Sequence, residues 1–87
     1  MPLVHIPAAM RGITEGITEV TVSGRTLGEV IDGLEAAHAG LKIRLVDEGQ
    51  VRAGLAVFVD GVQVTSGLGA RVEENSEVYF SPAISGG

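Results

Sequence analysis

Apolar residues recur along this chain with two different periods, which separate short strands from one helix. The runs at 3–6 and 17–23 are rich in β-branched residues and are bounded by proline or glycine, as strands are. Between Thr26 and Gly40, apolar side chains recur every three or four residues, the period of a helix with one buried face. Further strands are predicted at 55–59, at 62–64 after an Asp60-Gly61 turn, and at 77–81.

The helix has the clearest sequence signals. Thr26 and Glu29 have the spacing of a capping box, in which the hydroxyl and the carboxylate accept hydrogen bonds from free amides of the first turn. Gly40 is suited to end the helix. The apolar stripe consists of Leu27, Val30, Ile31, Leu34 and His38.

This element order predicts an α+β fold of the β-grasp, or ubiquitin-like, type. One main helix would pack against a mixed sheet of four to five strands, and the strand after the helix would return parallel through a right-handed crossover. The segment 41–45 has no clear type, and 47–49 reads as a loop. We expect one domain over 1–82 and a flexible tail over 83–87.

Composition narrows the classes of function. The chain has no cysteine, which excludes disulfides, thiolate metal sites and a cysteine nucleophile, and no metal-ligand spacing is legible around its histidines. A net charge of −5 argues against nucleic acid and favours a basic partner surface. No run approaches the ~20 apolar residues of a membrane span, and no signal peptide is legible. We therefore expect a cytoplasmic protein that binds neither nucleic acid nor membrane.

The last residues, Gly86 and Gly87, are candidates for chemistry. Neither residue has a Cβ, so such an end can enter a narrow slot and present its α-carboxylate to a nucleophile. The competing interpretation is a frayed terminus. The pair becomes informative only if the preceding residues build a compact domain that delivers it.

Several motifs together resemble the ubiquitin-like sulfur carriers of the MoaD/ThiS family. They are the segment 23–31, Leu34-Glu35, Asp60-Gly61 and the ending Pro-Ala-Ile-Ser-Gly-Gly at 82–87. Ile6-Pro7, Arg11 and this ending are most similar to the CysO-type branch, which carries sulfur for cysteine biosynthesis. The small subunit of molybdopterin synthase is the alternative, and a protein modifier that forms isopeptide bonds is the third interpretation.

The resemblance implies a carrier that other enzymes act upon, not an enzyme. In that family an adenylyltransferase related to ubiquitin-activating enzymes uses ATP to adenylate the terminal carboxylate, here that of Gly87, which becomes a thiocarboxylate. The implied later partners are a pyridoxal-phosphate cysteine synthase and a metalloprotease, or the large subunit of molybdopterin synthase. The resemblance implies no cofactor or metal bound by this chain.

Strand alternation predicts a docking patch for such a partner. If Val57 faces the core, Phe58 faces outward, and by the same count Tyr79 faces outward from the last strand. We predict that partners contact Phe58 and Tyr79, together with Leu68 and with Ile84 of the tail. A register shifted by one residue would instead place Phe58 in the core.

Overall fold

A mixed sheet with one main helix across it organises residues 1–82, the part of the chain described by this computed structural model. The strands are β1 (Leu3–His5), β2 (Glu19–Thr21), β3 (Val46–Asp47), β4 (Gln50–Val51), β5 (Leu55–Val59), β6 (Val62–Gln63) and β7 (Glu77–Pro82). The sheet has five strands in the order β2-β1-β7-β5-β6, and a separate short hairpin joins β3 to β4. The helices are α1 (Leu27–Ala37) and α2 (Lys42–Leu45). The predicted β-grasp fold is confirmed.

The parallel pairing differs from the prediction. It joins β1 to β7, with Val4 opposite Val78. The strand predicted to return parallel after the helix, β5, instead runs antiparallel to β7 and therefore opposite to β1. In the sheet, β7 lies between β1 and β5, so the last strand of the sequence takes the central position.

The helix begins and packs largely as its sequence indicates. The Thr26 hydroxyl accepts a hydrogen bond from the Glu29 backbone amide at 3.2 Å. The Glu29 carboxylate accepts one from the backbone amide of Arg25, one residue before the cap, at 3.0 Å. His38 is the exception in the predicted stripe, because α1 ends at Ala37 and His38 is its half-buried C-cap. The buried helix residues are Leu27, Val30, Ile31 and Leu34.

One aliphatic core holds the helix against the sheet. The sheet contributes Val4, Val57, Val78 and Phe80, and α2 adds Leu45 with Leu41 before it. The segment 41–45, unassigned from sequence, thus supplies core residues through a short helix. The predicted loop at 47–49 lies within the β3–β4 hairpin, whose turn has positive φ at Glu48 and Gly49.

Gly24 and Gly12 provide a matched test of this packing. A Cβ on Gly24 would lie 2.8 Å from the backbone nitrogen of Val30, whereas one on Gly12 would meet nothing within 4 Å. We expect Gly24→Ala to lower the free energy of unfolding by about 1–3 kcal/mol, because α1 must move away from the β2–α1 connection. Gly12→Ala should change it by less than about 1 kcal/mol. Urea unfolding measures both, and equal values would contradict this close approach.

Candidate functional site

The candidate site is the end of β7 and the sheet face beside it. Because β7 lies between β1 and β5, the described part of the chain ends on the central strand of the sheet, at Pro82, which is paired with Leu55. The predicted tail, with Ile84, Gly86 and Gly87, lies outside the described residues. The described part of the site is the sheet surface that leads to Pro82.

The turn before β7 is held by Asp60. Its Oδ1 accepts a hydrogen bond from the Glu77 backbone amide at 2.9 Å, and its Oδ2 accepts one from the Ser76 hydroxyl at 2.7 Å. Both hydrogen bonds hold the pKa of the Asp60 carboxyl below its usual value, and the bond from the Glu77 amide has the larger effect. The predicted Asp60-Gly61 turn thus also fixes where β7 begins.

Phe58 and Tyr79 lie on the outer face of the sheet, as alternation predicts. Val57 and Val78 are buried at 2% and 0% exposure, and their neighbours Phe58 and Tyr79 are directly paired across β5 and β7. Tyr79 is 44% exposed, and Phe58 is partly exposed. The shifted register that would have put Phe58 in the core is therefore wrong. A docking role for the pair stays a prediction.

Leu68 does not lie with that pair. It belongs to a short 3₁₀ turn, Gly67–Gly69, on the helix side of the sheet, and packs beside the core. Its Cβ lies 3.4 Å from the position that a Cβ on Gly28 of α1 would take. Sequence alternation could not place Leu68 because it lies outside any strand, and its inclusion in the outer-face patch is wrong.

His5 is the member of this surface that the sequence did not single out. Its ring stacks on Tyr79 with centroids 3.9 Å apart and planes within 5° of parallel. Its Nε2 lies 2.9 Å from a carboxylate oxygen of Glu77, and its Nδ1 lies 3.5 Å from one of Glu19. The only available signal was that His5 follows Val4 and so faces outward. Its contact with Tyr79 depends on the parallel pairing of β1 with β7.

A concavity of about 430 Å³ lies beside the stacked rings, toward the end of β7. Its walls include His5, Tyr79, Phe80 and Glu19, and Arg11 reaches it from the loop after β1. The Arg11 Nε donates a hydrogen bond to the Ile6 carbonyl at 3.1 Å, which fixes the guanidinium at this edge. Within residues 1–82, the outer face thus presents aromatic rings, carboxylates on β2 and β7, and the Arg11 guanidinium beside the concavity.

Two negative findings apply to residues 1–82. No group of three or more histidine, cysteine, aspartate or glutamate side chains there could hold a metal ion. No helix in that part of the chain has the length and apolar character needed to cross a membrane.

Comparisons with known proteins agree with this architecture. The model of the ThiS family matches residues 4–87. The sulfur carrier protein CysO of Mycobacterium tuberculosis is 35% identical, and the alignment covers 97% of this chain and 96% of that protein. A chain in the crystal structure of the Amycolatopsis orientalis BexX/CysO complex is 36% identical, with a TM-score of 0.92 and complete coverage of both chains (100% each).

A further relative has a different name. The small archaeal modifier protein 3 of Haloferax volcanii is 31% identical over 71% of this chain and 70% of its own length. The expected resemblance to sulfur carriers is confirmed by the family match and by the CysO relative.

Proposed function

Because the chain belongs to the ThiS family, we propose that it is a sulfur carrier whose Gly87 carboxylate is converted to a thiocarboxylate. The observation that carries this proposal is the 35% identity to CysO over 97% of the chain. The family match also extends to Gly87, so the Gly-Gly segment belongs to the region of similarity.

The proposed chemistry has two steps, both performed by partner enzymes. The Gly87 carboxylate attacks the α-phosphorus of ATP, forming an acyl-adenylate and releasing pyrophosphate. A sulfide equivalent then attacks the acyl carbon, AMP leaves, and the sulfur remains as a thiocarboxylate. Adenylation is needed because a carboxylate is a poor acyl donor. The chain itself supplies an unobstructed end, since glycine has no Cβ, and a folded surface that the enzyme can bind.

For the sulfur acceptor we propose a pyridoxal-phosphate cysteine synthase, followed by a metalloprotease that releases the cysteine. The similarity to CysO favours this route over molybdenum cofactor biosynthesis. Incubating the loaded carrier with the cysteine synthase, or with the large subunit of molybdopterin synthase, distinguishes the two. Transfer of sulfur only to a molybdopterin precursor would replace the first route by the second.

Protein modification is the second candidate function, favoured by the similarity to the small archaeal modifier protein 3. Its signature would be isopeptide conjugates that persist on denaturing gels and depend on ATP. A carrier would instead return to its free form after sulfur transfer, without conjugates.

The adenylation step can be tested by exchange of labelled pyrophosphate into ATP. We expect exchange only when the carrier, the adenylyltransferase and ATP are all present. Exchange that is equally fast without the carrier, or with a carrier blocked at its C-terminal carboxylate, would contradict the proposed acceptor.

Phe58→Ala tests the docking patch. We expect it to slow adenylation about tenfold or more, because a central aromatic contact of an interface commonly contributes that much to binding. Ile43→Ala is the matched control, since Ile43 is 71% exposed on α2 and away from the outer face. Both variants should unfold cooperatively in urea. Equal rates for the two would remove Phe58 from the interface, and loss of cooperative unfolding would show a structural role.

A further inference from the structure

Three side chains on the outer face form a locked group, which we call the platform: His5, Tyr79 and Glu77. The His5 ring covers one face of Tyr79 at 3.9 Å, and its Nε2 lies 2.9 Å from Glu77 Oε1. Tyr79 is still 44% exposed, and Glu77 is 52% exposed. The platform therefore exposes part of an aromatic ring and a carboxylate to solvent on the same face of the sheet.

The platform contains no lysine or arginine side chain. None of the sheet strands in residues 1–82 contains a lysine or an arginine, whereas β2 and β7 contribute Glu19 and Glu77. Glu77 Oε1 is held by His5, but Glu77 Oε2 has no hydrogen-bond donor among residues 1–82. Arg11 lies in the concavity that also includes Glu19, not beside Glu77. A free carboxylate oxygen thus stands next to an exposed ring.

We propose that Tyr79 and Glu77 bind an arginine side chain on the surface of the adenylating enzyme. A planar guanidinium can stack on an aromatic ring while its N–H groups donate to a carboxylate, which an ammonium group does less well. The charge-assisted bond would use Glu77 Oε2, and His5 would hold the carboxylate in position. This inference rests on the proposed function for the identity of the partner.

The position of β7 explains why such an enzyme would cover the platform. Tyr79 and Pro82 belong to the same strand. The segment 83–87 spans at most about 18 Å when fully extended. An enzyme that acts on Gly87 must therefore approach the end of β7 closely. Glu77 is the first residue of β7 and Tyr79 the third, about 17 Å and about 10 Å along the strand from Pro82, so an interface of ordinary size that continues along the outer face would cover both side chains.

Binding of an arginine probe tests the platform without any enzyme. The full chain, labelled with nitrogen-15, is titrated with N-acetyl-arginine amide and, separately, with N-acetyl-lysine amide at low ionic strength. We expect the arginine probe to shift the amide signals of His5, Glu77 and Tyr79 at least about twofold more than the lysine probe does. Equal shifts from both probes, or arginine shifts centred elsewhere, would overturn the inference.

Glu77→Gln tests the same contact in the enzyme reaction. Glutamine keeps an oxygen that can accept from His5 but removes the charge, so we expect KM for the carrier to rise about tenfold with kcat changed less than about twofold. Glu48→Gln makes the same charge change at the exposed β3–β4 turn and should leave both constants unchanged. Glu19→Gln should have a smaller effect than Glu77→Gln, since Glu19 shares its concavity with Arg11.

The outcomes separate this inference from the proposed function. If wild-type carrier is adenylated but Glu77→Gln and Glu48→Gln behave alike, the arginine contact is wrong and the carrier function stands. If wild-type carrier is never adenylated, the function fails, and the arginine titration still decides whether the platform binds a guanidinium.

Discussion

Deleting Gly86 and Gly87 is expected to abolish sulfur loading completely while leaving the free energy of unfolding unchanged. Loading should fail because the new terminal residue, Ser85, places its carboxylate two residues short of the activating site and carries a side chain there. Stability should persist because residues 1–82 supply the buried aliphatic core described above. Loading is measured by mass spectrometry after incubation with ATP, sulfide and the adenylyltransferase, and stability by urea unfolding.

Ser85→Ala is the matched control for this deletion. It changes the tail next to the glycines but keeps its length and its final carboxylate, so it should load at the wild-type rate. A truncated protein that still gains sulfur would contradict the assignment of Gly87. A truncated protein that no longer unfolds cooperatively would show that the tail contributes to the fold.

Leu34→Ala is expected to have the largest effect on stability. Leu34 is fully buried at 0% exposure on the core face of α1. Its truncation should lower the free energy of unfolding by about 2–5 kcal/mol, from lost transfer energy and the cavity left behind. A domain of this size has only about 4–13 kcal/mol in total, so a large fraction of the molecules could unfold at physiological temperature.

The control for Leu34→Ala is Ile43→Ala. Ile43 is 71% exposed, so its truncation should change the free energy of unfolding by less than about 0.5 kcal/mol. Urea unfolding followed by circular dichroism measures both. A loss below about 1 kcal/mol for Leu34→Ala would contradict a single core built on the α1 stripe.

Local patterns predicted the helix and the facing of the main strands. The capping residue Thr26 and the apolar spacing from Leu27 to Leu34 all lie within α1 or directly before it. The sequence of this short segment is therefore enough to predict the helix. Alternation around Val57 and Val78 likewise determines which side of each strand is buried. These signals depend only on neighbours in the sequence.

The features that sequence did not predict depend on distant partners or on very short elements. The pairing of β1 with β7, and with it the stacking of His5 on Tyr79, joins the two ends of the domain. The β3–β4 strands have two residues each, too few for any period to show. Leu68 lies in a 3₁₀ turn, where strand alternation does not apply.

In the candidate site, too, sequence predicted some features and not others. The outward position of Phe58 and Tyr79 followed from alternation, and the role proposed for Gly87 came from resemblance to a family. The platform could not be predicted from sequence, because the contact between Glu77 and His5 depends on the pairing of β7 with β1.

Intact mass spectrometry of the full chain tests directly whether its C-terminal segment acquires sulfur. The chain is incubated with sulfide and the adenylyltransferase, with and without ATP, and the product is fragmented to locate any change. We expect one oxygen to be replaced by sulfur within residues 83–87, and only with ATP. An unchanged mass for a folded chain with an intact Gly87, or sulfur located within residues 1–82, would contradict the carrier function.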